Sequence, residues 1–488
     1  MKKTALLLSL ILFVCCGITF SSCGCSKDTT SNFYDICVTY DETEKVLSGY
    51  ETVTFKNDSE NAFNELKFNL FGNAFRKDAK FKPILSGQDL TAYYNGESYG
   101  KMEVSAVEFD GEKIAYSIGG EDENILIVKL KDTLYPEESV TVKIYFSLHL
   151  ANVLSRTGYN DKTVNLGNFY PVLCAVENGA FKECVYYAIG DPFYSEVADY
   201  KTSITVSSNL TVCSSGELIN ATEKGDKKTY SYTLKKARDF AFVLSSEFDL
   251  LTKTENGVTI NYYYYNDLTP KDTLDISVKA IKTFSNAFIN YPYKTYSLCQ
   301  TGFIEGGMEY PCLSMISDAL TDKAVIEEVA VHETAHQWWY SLVGNDEISH
   351  AFLDEGLTEY SVVLFYEKNP EYQVTRTELI GTAHKSYSTF CSIYDKIFGK
   401  KDTSMLRSLK EFSGSYEYVN IVYIKGALMF DYLRTAVGDT AFFNGLKKYA
   451  TDYSYKIATP DSLVGVFEKI GANTNGFFKS WFNGEVIL

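Results

Sequence analysis

The residues best suited to chemistry in this sequence form the pattern His332-Glu333-x-x-His336. Two histidines four positions apart on a helix lie about 400° round and about 6 Å along its axis, so both imidazoles face the same way. That spacing lets both rings bind one zinc ion. Glu333 is about 100° further round than His332, beside the metal, where it can take a proton from metal-activated water. The pattern predicts metal-assisted hydrolysis.

A catalytic zinc site of this kind needs a third protein ligand and an open fourth position. A third histidine six positions after His336 would fall at Leu342, so an all-histidine site is disfavoured. Glu355 follows His336 after eighteen intervening residues and completes a His₂Glu set. Glu359 lies on the same helical face as Glu355 and is predicted either to hydrogen-bond a ligand histidine or to be a solvated helix charge.

These residues together resemble the gluzincin signature of the zinc aminopeptidases related to aminopeptidase N. Upstream, the segment Gly306-Gly307-Met308-Glu309 resembles the Gly-x-Met-Glu-Asn exopeptidase motif of that family. The resemblance implies that this strand aligns the peptide backbone of the substrate by strand addition. It also implies that Glu309 holds the free α-ammonium group. Tyr310 departs from the family pattern, because asparagine is usual at this position.

Downstream, Tyr423-x-Lys425-Gly426 resembles the Tyr-x-Lys-Gly segment of the family, which implies that Tyr423 stabilises the oxyanion. Tyr418, five residues earlier, is the rival donor. The resemblance extends from about residue 35 to residue 440. Since 65 residues follow Tyr423, we expect the large C-terminal helical domain of many members to be absent or much reduced, and the cleft to be more open.

Strand-like patterns dominate the chain before these motifs. Residues 140–150 carry six apolar side chains at strict period two, which is typical of a strand with one buried face. After residue 269 the period changes to that of an amphipathic helix, and Thr269-Pro270 is a typical helix start. We therefore predict an α+β multidomain protein. An N-terminal β-sandwich or saddle precedes a thermolysin-like mixed α/β zinc peptidase domain with a short helical C-terminus.

The predicted boundaries follow these changes of pattern. They are a lipoprotein-type signal peptide at 1–22, a linker at 23–34, a β domain at 35–255, a catalytic domain at 256–440 and a C-terminal helical segment at 441–488. The signal peptide has two lysines and 14 apolar residues, too few to span a membrane. Phe20-Ser21-Ser22-Cys23 resembles a lipobox, which makes Cys23 the predicted lipidation site, with Cys25 as a competing acceptor.

Composition limits the partners. The 63 acidic residues against 46 basic ones give a net charge of −17, which argues against nucleic-acid binding. We expect secretion across the cytoplasmic membrane of a bacterium and lipid anchoring at the cell surface. The remaining cysteines form no Cys-x-x-Cys pair, so buried thiols are favoured, although Cys174 and Cys184 are candidates for a bridge. Sequence gives no indication of the oligomeric state.

The function predicted from these residues is that of an aminopeptidase with one Zn²⁺ per chain and peptides as substrates. His332, His336 and Glu355 would hold the ion, and Glu333 would act as general base in cleaving the N-terminal peptide bond. One alternative is a thermolysin-like endopeptidase with an open cleft, in which Glu309 is only structural. Another is a non-catalytic peptide-binding lipoprotein that retains zinc.

Overall fold

The computed structural model describes residues 32–399, 402–472, 474 and 476–488. The predicted signal peptide and Cys23 lie outside the described residues. The first part of the chain is rich in strands, which are β1 (Asn32–Asp41), β2 (Val46–Lys56), β3 (Phe63–Asn69), β4 (Lys101–Phe109), β5 (Glu112–Lys113), β6 (Tyr116–Gly119), β7 (Ile125–Leu134), β8 (Ser139–His149), β9 (Thr157–Tyr159), β10 (Thr163–Leu166), β11 (Val172–Leu173), β12 (Val176–Glu177), β13 (Ala180–Phe181), β14 (Ala198–Ser207), β15 (Thr211–Ser214), β16 (Glu217–Lys224), β17 (Lys227–Ala237) and β18 (Phe242–Ser245). Two short helical segments interrupt them, a 3₁₀ helix at Phe71–Phe75 and the helical turn α1 (Asp89–Ala92).

These strands form one large sheet and smaller ones. The large sheet has eight strands in the order β16-β17-β14-β1-β2-β8-β4-β5, and two four-stranded sheets have the orders β15-β18-β10-β9 and β11-β3-β7-β6. Strand β8 shows why this sequence forms such sheets. Its even positions from Val140 to Leu148 are buried while the alternating positions are more exposed, as period-two burial of one face requires.

The second part of the chain combines one sheet with helices. Its elements are the strands β19 (Asp249–Glu255), β20 (Val258–Tyr264), β21 (Thr295–Thr301), β22 (Gly307–Met308) and β23 (Leu313–Ser317) and the helices α2 (Pro270–Ala287), α3 (Lys323–Ala335), α4 (Glu347–His350), α5 (Glu355–Lys368), α6 (Arg376–Phe398), α7 (Ser415–Tyr418), α8 (Lys425–Val437), α9 (Asp439–Asp452), α10 (Pro460–Lys469) and α11 (Phe477–Phe482). The sheet order is β19-β20-β21-β23-β22, so β22 is an edge strand. It pairs with β23 in antiparallel orientation.

A β-rich first part and a mixed second part confirm the predicted α+β fold class. The residue at which one part gives way to the other differs from the predicted boundary. Strand β19 pairs with β20 in an antiparallel hairpin, so residue 255 falls inside that hairpin and the five-stranded sheet begins at Asp249. Helix α2 begins at Pro270, but the Thr269 side chain makes no capping hydrogen bond.

Packing between the two parts and between helices positions the site. Side chains of β21 and β23, such as Cys299 and Met315, join the hydrophobic core of the first part. Helices α5 and α8 approach closely where two glycines meet, since a Cβ on Gly356 would lie 2.9 Å from the Gly426 Cα. That contact brings the start of α5 next to the turn that precedes α8. Among the described residues, no helix is both long enough and apolar enough to cross a membrane.

Candidate active site

Helix α3 presents the two histidines and Glu333. Asp322 caps its N-terminus, because its carboxylate accepts hydrogen bonds from the backbone N–H groups of Ala324 and Val325. The helix ends at Ala335, so His336 lies on its final turn, with its backbone N–H 3.3 Å from the His332 carbonyl oxygen. The two imidazole rings are 4.9 Å apart, as the four-residue spacing predicts.

Helix α5 supplies the carboxylate that faces them. Glu355 is its first residue, where the positive end of the helix dipole favours a negative charge. The Glu355 Oε2 atom lies 3.2 Å from the Nε2 atom of His332 and 3.2 Å from that of His336. The structure therefore brings the three predicted ligands together, although Glu355 is nineteen positions from His336 in the chain.

The three donor atoms fit a tetrahedral metal ion. The two Nε2 atoms are 3.1 Å apart, and each of them is 3.2 Å from Glu355 Oε2. Ligands at 2.0–2.1 Å from a tetrahedral zinc ion lie about 3.3 Å from one another. Two imidazole nitrogens and one carboxylate are also the donor set of catalytic zinc sites, and all three residues line one cavity.

Each histidine is oriented by a hydrogen bond at its other ring nitrogen. The Nδ1 atom of His332 is 3.2 Å from Glu359 Oε2, and that of His336 is 2.9 Å from the carbonyl oxygen of Trp339. With Nδ1 carrying the proton, each Nε2 presents a lone pair to the shared centre. Of the two alternatives considered for Glu359, a contact with a ligand histidine and a solvated charge, the structure contains the first.

The electrostatics of the three ligands favour a cation between them. Burial alone would raise the pKa of Glu355, but His336 and His332 hold that pKa well below its usual range. Burial opposes a charge on His336, yet the carboxylates of Glu355 and Glu309 raise its pKa to about 10. A positive ion between His332, His336 and Glu355 would stabilise the ionised Glu355 carboxylate in this buried position.

Glu333 lies beside this centre and keeps one oxygen unpaired. Its side chain is buried, and its Oε2 atom has no hydrogen-bond partner within the part of the chain that the structure describes. Burial raises its pKa to about 7, despite the nearby His332 and His336. A Cβ on Gly307 would lie 2.2 Å from Glu333 Oε1, so only glycine at 307 leaves room for this carboxylate.

Glu309 follows the edge strand β22 and closes one side of the cavity. It is buried, and its Oε1 atom has no partner among the described residues. Carboxylate oxygens of Asp191, Glu309 and Glu355 lie within 4.8 Å of one another. Burial and the adjacent Asp191 raise the pKa of Glu309. Such a cluster is favourable only when a cation compensates it.

A buried ion pair from the first part of the chain borders Glu309. Arg156 donates to Asp191 Oδ1 over 2.5 Å and to the carbonyl oxygen of Gly190 over 3.2 Å. Its Nε atom is also 3.0 Å from the sulfur of Met308. Arg156 thus fixes both Asp191 and the strand that carries Glu309. Sequence reasoning missed this pair, since its members are 35 residues apart and lie in no recognisable motif.

Tyr310 occupies the position at which the family motif has asparagine. Its hydroxyl donates to Asn168 Oδ1 over 3.0 Å, and Asn168 Nδ2 donates in turn to Asp239 over 2.6 Å. The Tyr310 ring fits because residue 167 is glycine. A Cβ atom at that position would lie only 1.9 Å from the Tyr310 hydroxyl oxygen. The aromatic substitution is therefore accommodated by hydrogen bonds to the first part of the chain.

Tyr423 and its rival Tyr418 both line the cavity, but their hydroxyl groups differ in hydrogen bonding. Tyr423 lies in a π-helical segment, Val419–Ile424, and its hydroxyl donates to Glu355 Oε1. Its ring stacks on that of His332, with centroids 5.9 Å apart. The Tyr418 hydroxyl is buried with no hydrogen-bond partner among the described residues. Wider helical turns of this type occur frequently at functional sites.

The cavity that these residues enclose has a volume of about 420 Å³. It is also lined by three polar side chains that the sequence patterns did not single out, which are Gln88, Glu305 and Glu328.

The seven described cysteines, which lie outside this cavity, are free thiols, and six of them are buried. Cys174 and Cys184 therefore form no disulfide bridge in this structure.

Comparisons with known proteins find similarity to peptidases. The model of the peptidase family M1 domain matches residues 272–481. An aminopeptidase N of Lactobacillus delbrueckii subsp. lactis is 28% identical over 245 residues, which are 46% of this chain and 28% of that protein. Aminopeptidase M1-D of Oryza sativa subsp. japonica is 23% identical over 305 residues, which are 58% of this chain and 34% of that protein. The chain thus spans about a third of the length of these relatives.

Solved structures with the same fold cover almost the whole chain. An M1 zinc metallopeptidase from Deinococcus radiodurans superposes with a TM-score of 0.68 at 18% identity, covering 93% of this chain and 94% of that one. A mutant of that protein bound to a Tyr-Ser-Ala substrate gives a TM-score of 0.66 at 17% identity, covering 93% and 94% of the two chains. At this level of identity the likeness concerns the fold.

Proposed function

We propose that this chain, whose residues 272–481 match the model of the peptidase family M1 domain and resemble aminopeptidase N, is a zinc-dependent aminopeptidase. It would remove residues one at a time from the free N-terminus of a peptide. One observation carries the proposal. Glu309, with an unpaired and buried oxygen, lies within 4.8 Å of Glu355 at the end of an edge strand.

That arrangement would recognise an N-terminus in two ways. The strand β22 lies at the edge of the described sheet, with β23 on one side only, so an extended peptide can add to it as a further strand. The α-ammonium group then meets the acidic cluster of Glu309 and Asp191, where Arg156 donates to Asp191 but Glu309 Oε1 has no hydrogen-bond partner among the described residues. A peptide bound in this register presents its first peptide bond to the metal centre, and an N-acetylated peptide does not supply the charge.

Zinc held by His332, His336 and Glu355 would polarise the scissile carbonyl and lower the pKa of the attacking water. Glu333 accepts the proton of that water on its unpaired Oε2 atom and delivers it to the leaving amine. Tyr423 directs its hydroxyl toward the same centre and stabilises the negative charge that develops on the carbonyl oxygen. Glu359 and the Trp339 carbonyl hold the histidines in place.

Glu309→Gln tests the ammonium contact. We expect kcat/KM for an unblocked peptide to fall about 10- to 150-fold, because a charge-assisted hydrogen bond contributes about 1.5–3 kcal/mol. The measurement is mass spectrometry of the products of one peptide and of its N-acetylated twin. The wild type should release single residues from the first and leave the second intact. Glu485→Gln, which removes an exposed carboxylate far from the motif residues in sequence, is the control.

Unchanged cleavage by Glu309→Gln would contradict the amine-anchoring role. Internal fragments from both peptides would instead support the thermolysin-like endopeptidase, and no cleavage at all would support a non-catalytic zinc-containing binding protein. Anchoring of the enzyme to the bacterial cell surface through a lipid on Cys23 stays a prediction, since Cys23 lies outside the described residues.

A further inference from the structure

The cavity carries more negative charge than the proposed chemistry uses. Among the described residues that line it are seven carboxylates, against one arginine and the two histidines of the metal centre. Five of the seven have a role or a partner already described, and these are Glu333, Glu355, Glu359, Asp191 and Glu309, which the substrate ammonium compensates. The remaining two are Glu305 and Glu328.

Glu305 is the better placed of these two to meet a ligand. Its Oε2 atom is buried without a hydrogen-bond partner in the described part of the chain, as are one oxygen of Glu309 and one of Glu333. Native proteins pair almost all such atoms, so each exception calls for an explanation. Arg156 is near Glu305 but makes its hydrogen bonds to Asp191, Gly190 and Met308. No described cation is therefore hydrogen-bonded to Glu305 Oε2.

Glu305 and Glu309 flank the edge strand β22, and both line the cavity. Glu305 lies in a bend just before that strand, and Glu309 directly follows it. Position 307 faces the Glu333 carboxylate, because a Cβ there would collide with it. Glu305 and Glu309 are at most about 13 Å apart along the chain, with the side-chain-free Gly307 between them. A ligand with two positive charges joined by a chain of several atoms can therefore meet both carboxylates.

We propose that Glu305 selects lysine or arginine as the N-terminal residue of the substrate. This inference rests on the proposed aminopeptidase function, since Glu309 must first fix the α-ammonium group. The ammonium or guanidinium group of the first side chain then pairs with Glu305 across the space left open by Gly307. The three unpaired carboxylate oxygens thereby receive three separate tasks, which are proton transfer at Glu333, binding of the α-ammonium at Glu309 and binding of the side-chain cation at Glu305.

Neutral and acidic first residues bind less well for a physical reason. An uncharged side chain leaves the Glu305 oxygen buried and unpaired, and an acidic one adds repulsion in a cavity that seven carboxylates already line. Burial raises the pKa of Glu305, and a bound cation would reverse that change. The cavity of about 420 Å³ is large enough for a long side chain.

The test compares kcat/KM for the p-nitroanilides of lysine, arginine, norleucine and glutamate, each with a free α-amine. Norleucine has an unbranched chain without a charge. We expect the wild type to prefer lysine and arginine over norleucine by about 10- to 150-fold, as a charge-assisted hydrogen bond predicts. Glu305→Gln should abolish most of that preference and leave norleucine hydrolysis nearly unchanged. Glu328→Gln and the exposed Glu485→Gln, measured in parallel, should retain the preference.

Three results would overturn the assignment. The first is a wild type that hydrolyses norleucine as well as lysine. The second is an equal loss on lysine and norleucine in Glu305→Gln, which would make Glu305 a structural residue. The third is loss of the preference in Glu328→Gln only, which would transfer the role to Glu328. In all three cases the aminopeptidase proposal survives, whereas absence of hydrolysis of every substrate would remove both proposals together.

Discussion

Replacing Glu333 with glutamine is expected to lower kcat by about 10²–10⁴-fold, the usual contribution of a general base. The glutamine keeps the shape of the side chain, so it still fits against Gly307, where no Cβ could be accommodated. It cannot accept a proton at physiological pH. The ligands His332, His336 and Glu355 are untouched, and we expect zinc to remain bound.

The measurement pairs single-turnover kinetics with metal analysis of the same preparation. A slow enzyme with one zinc ion per chain would support proton transfer by Glu333. Near-normal turnover with full zinc occupancy would contradict it. Loss of zinc would show instead that the Glu333 charge helps to hold the ion, and the Glu333→Asp variant, which retains the charge, would then separate the two effects.

The second large effect is expected at Tyr423. A hydroxyl that donates to the developing oxyanion acts mainly in the transition state, so Tyr423→Phe should lower kcat with little change in KM. Removing one such donor costs about 10²–10³ in rate. In the structure this hydroxyl donates to Glu355, a predicted metal ligand, so activity must be compared at identical zinc content.

Tyr418→Phe is the matched variant, because the Tyr418 hydroxyl lies in the same cavity, buried and without a hydrogen-bond partner among the described residues. The two rings contact each other edge to face, with centroids 5.7 Å apart. We expect the smaller defect at Tyr418. A large kcat defect in Tyr418→Phe with a silent Tyr423→Phe would assign the oxyanion contact to Tyr418.

Sequence reasoning was most effective where the chemistry depends on short-range geometry. The positions of His332, Glu333 and His336 follow from the helical period alone. The identity of Glu355 as the third ligand needed a further argument from donor chemistry, and its approach to the histidines depends on the packing of α5 against α3. The fold class could be predicted because the hydrophobic period changes near residue 269.

Contacts between residues that are far apart in the chain could not be predicted from the sequence patterns. Asp191 and Arg156 come from the first part of the chain and meet Glu309 only after the two parts pack together. Nothing in the local sequence of Glu305 or Glu328 marks them as cavity residues, since an isolated glutamate is most often a solvated charge. The sequence did not show that the hairpin at residues 249–264 belongs to the second part of the chain, because both of its strands continue the preceding β pattern.

The central claim is that a metal centre and an amine-binding carboxylate together make an aminopeptidase. Its most direct test is hydrolysis of a panel of aminoacyl chromogenic amides beside the same panel N-acetylated, before chelation, after chelation and after return of one equivalent of zinc. We expect cleavage of the free-amine compounds only, abolished by the chelator and restored by zinc. Cleavage of the acetylated compounds, or activity that survives complete removal of the metal, would contradict the claim.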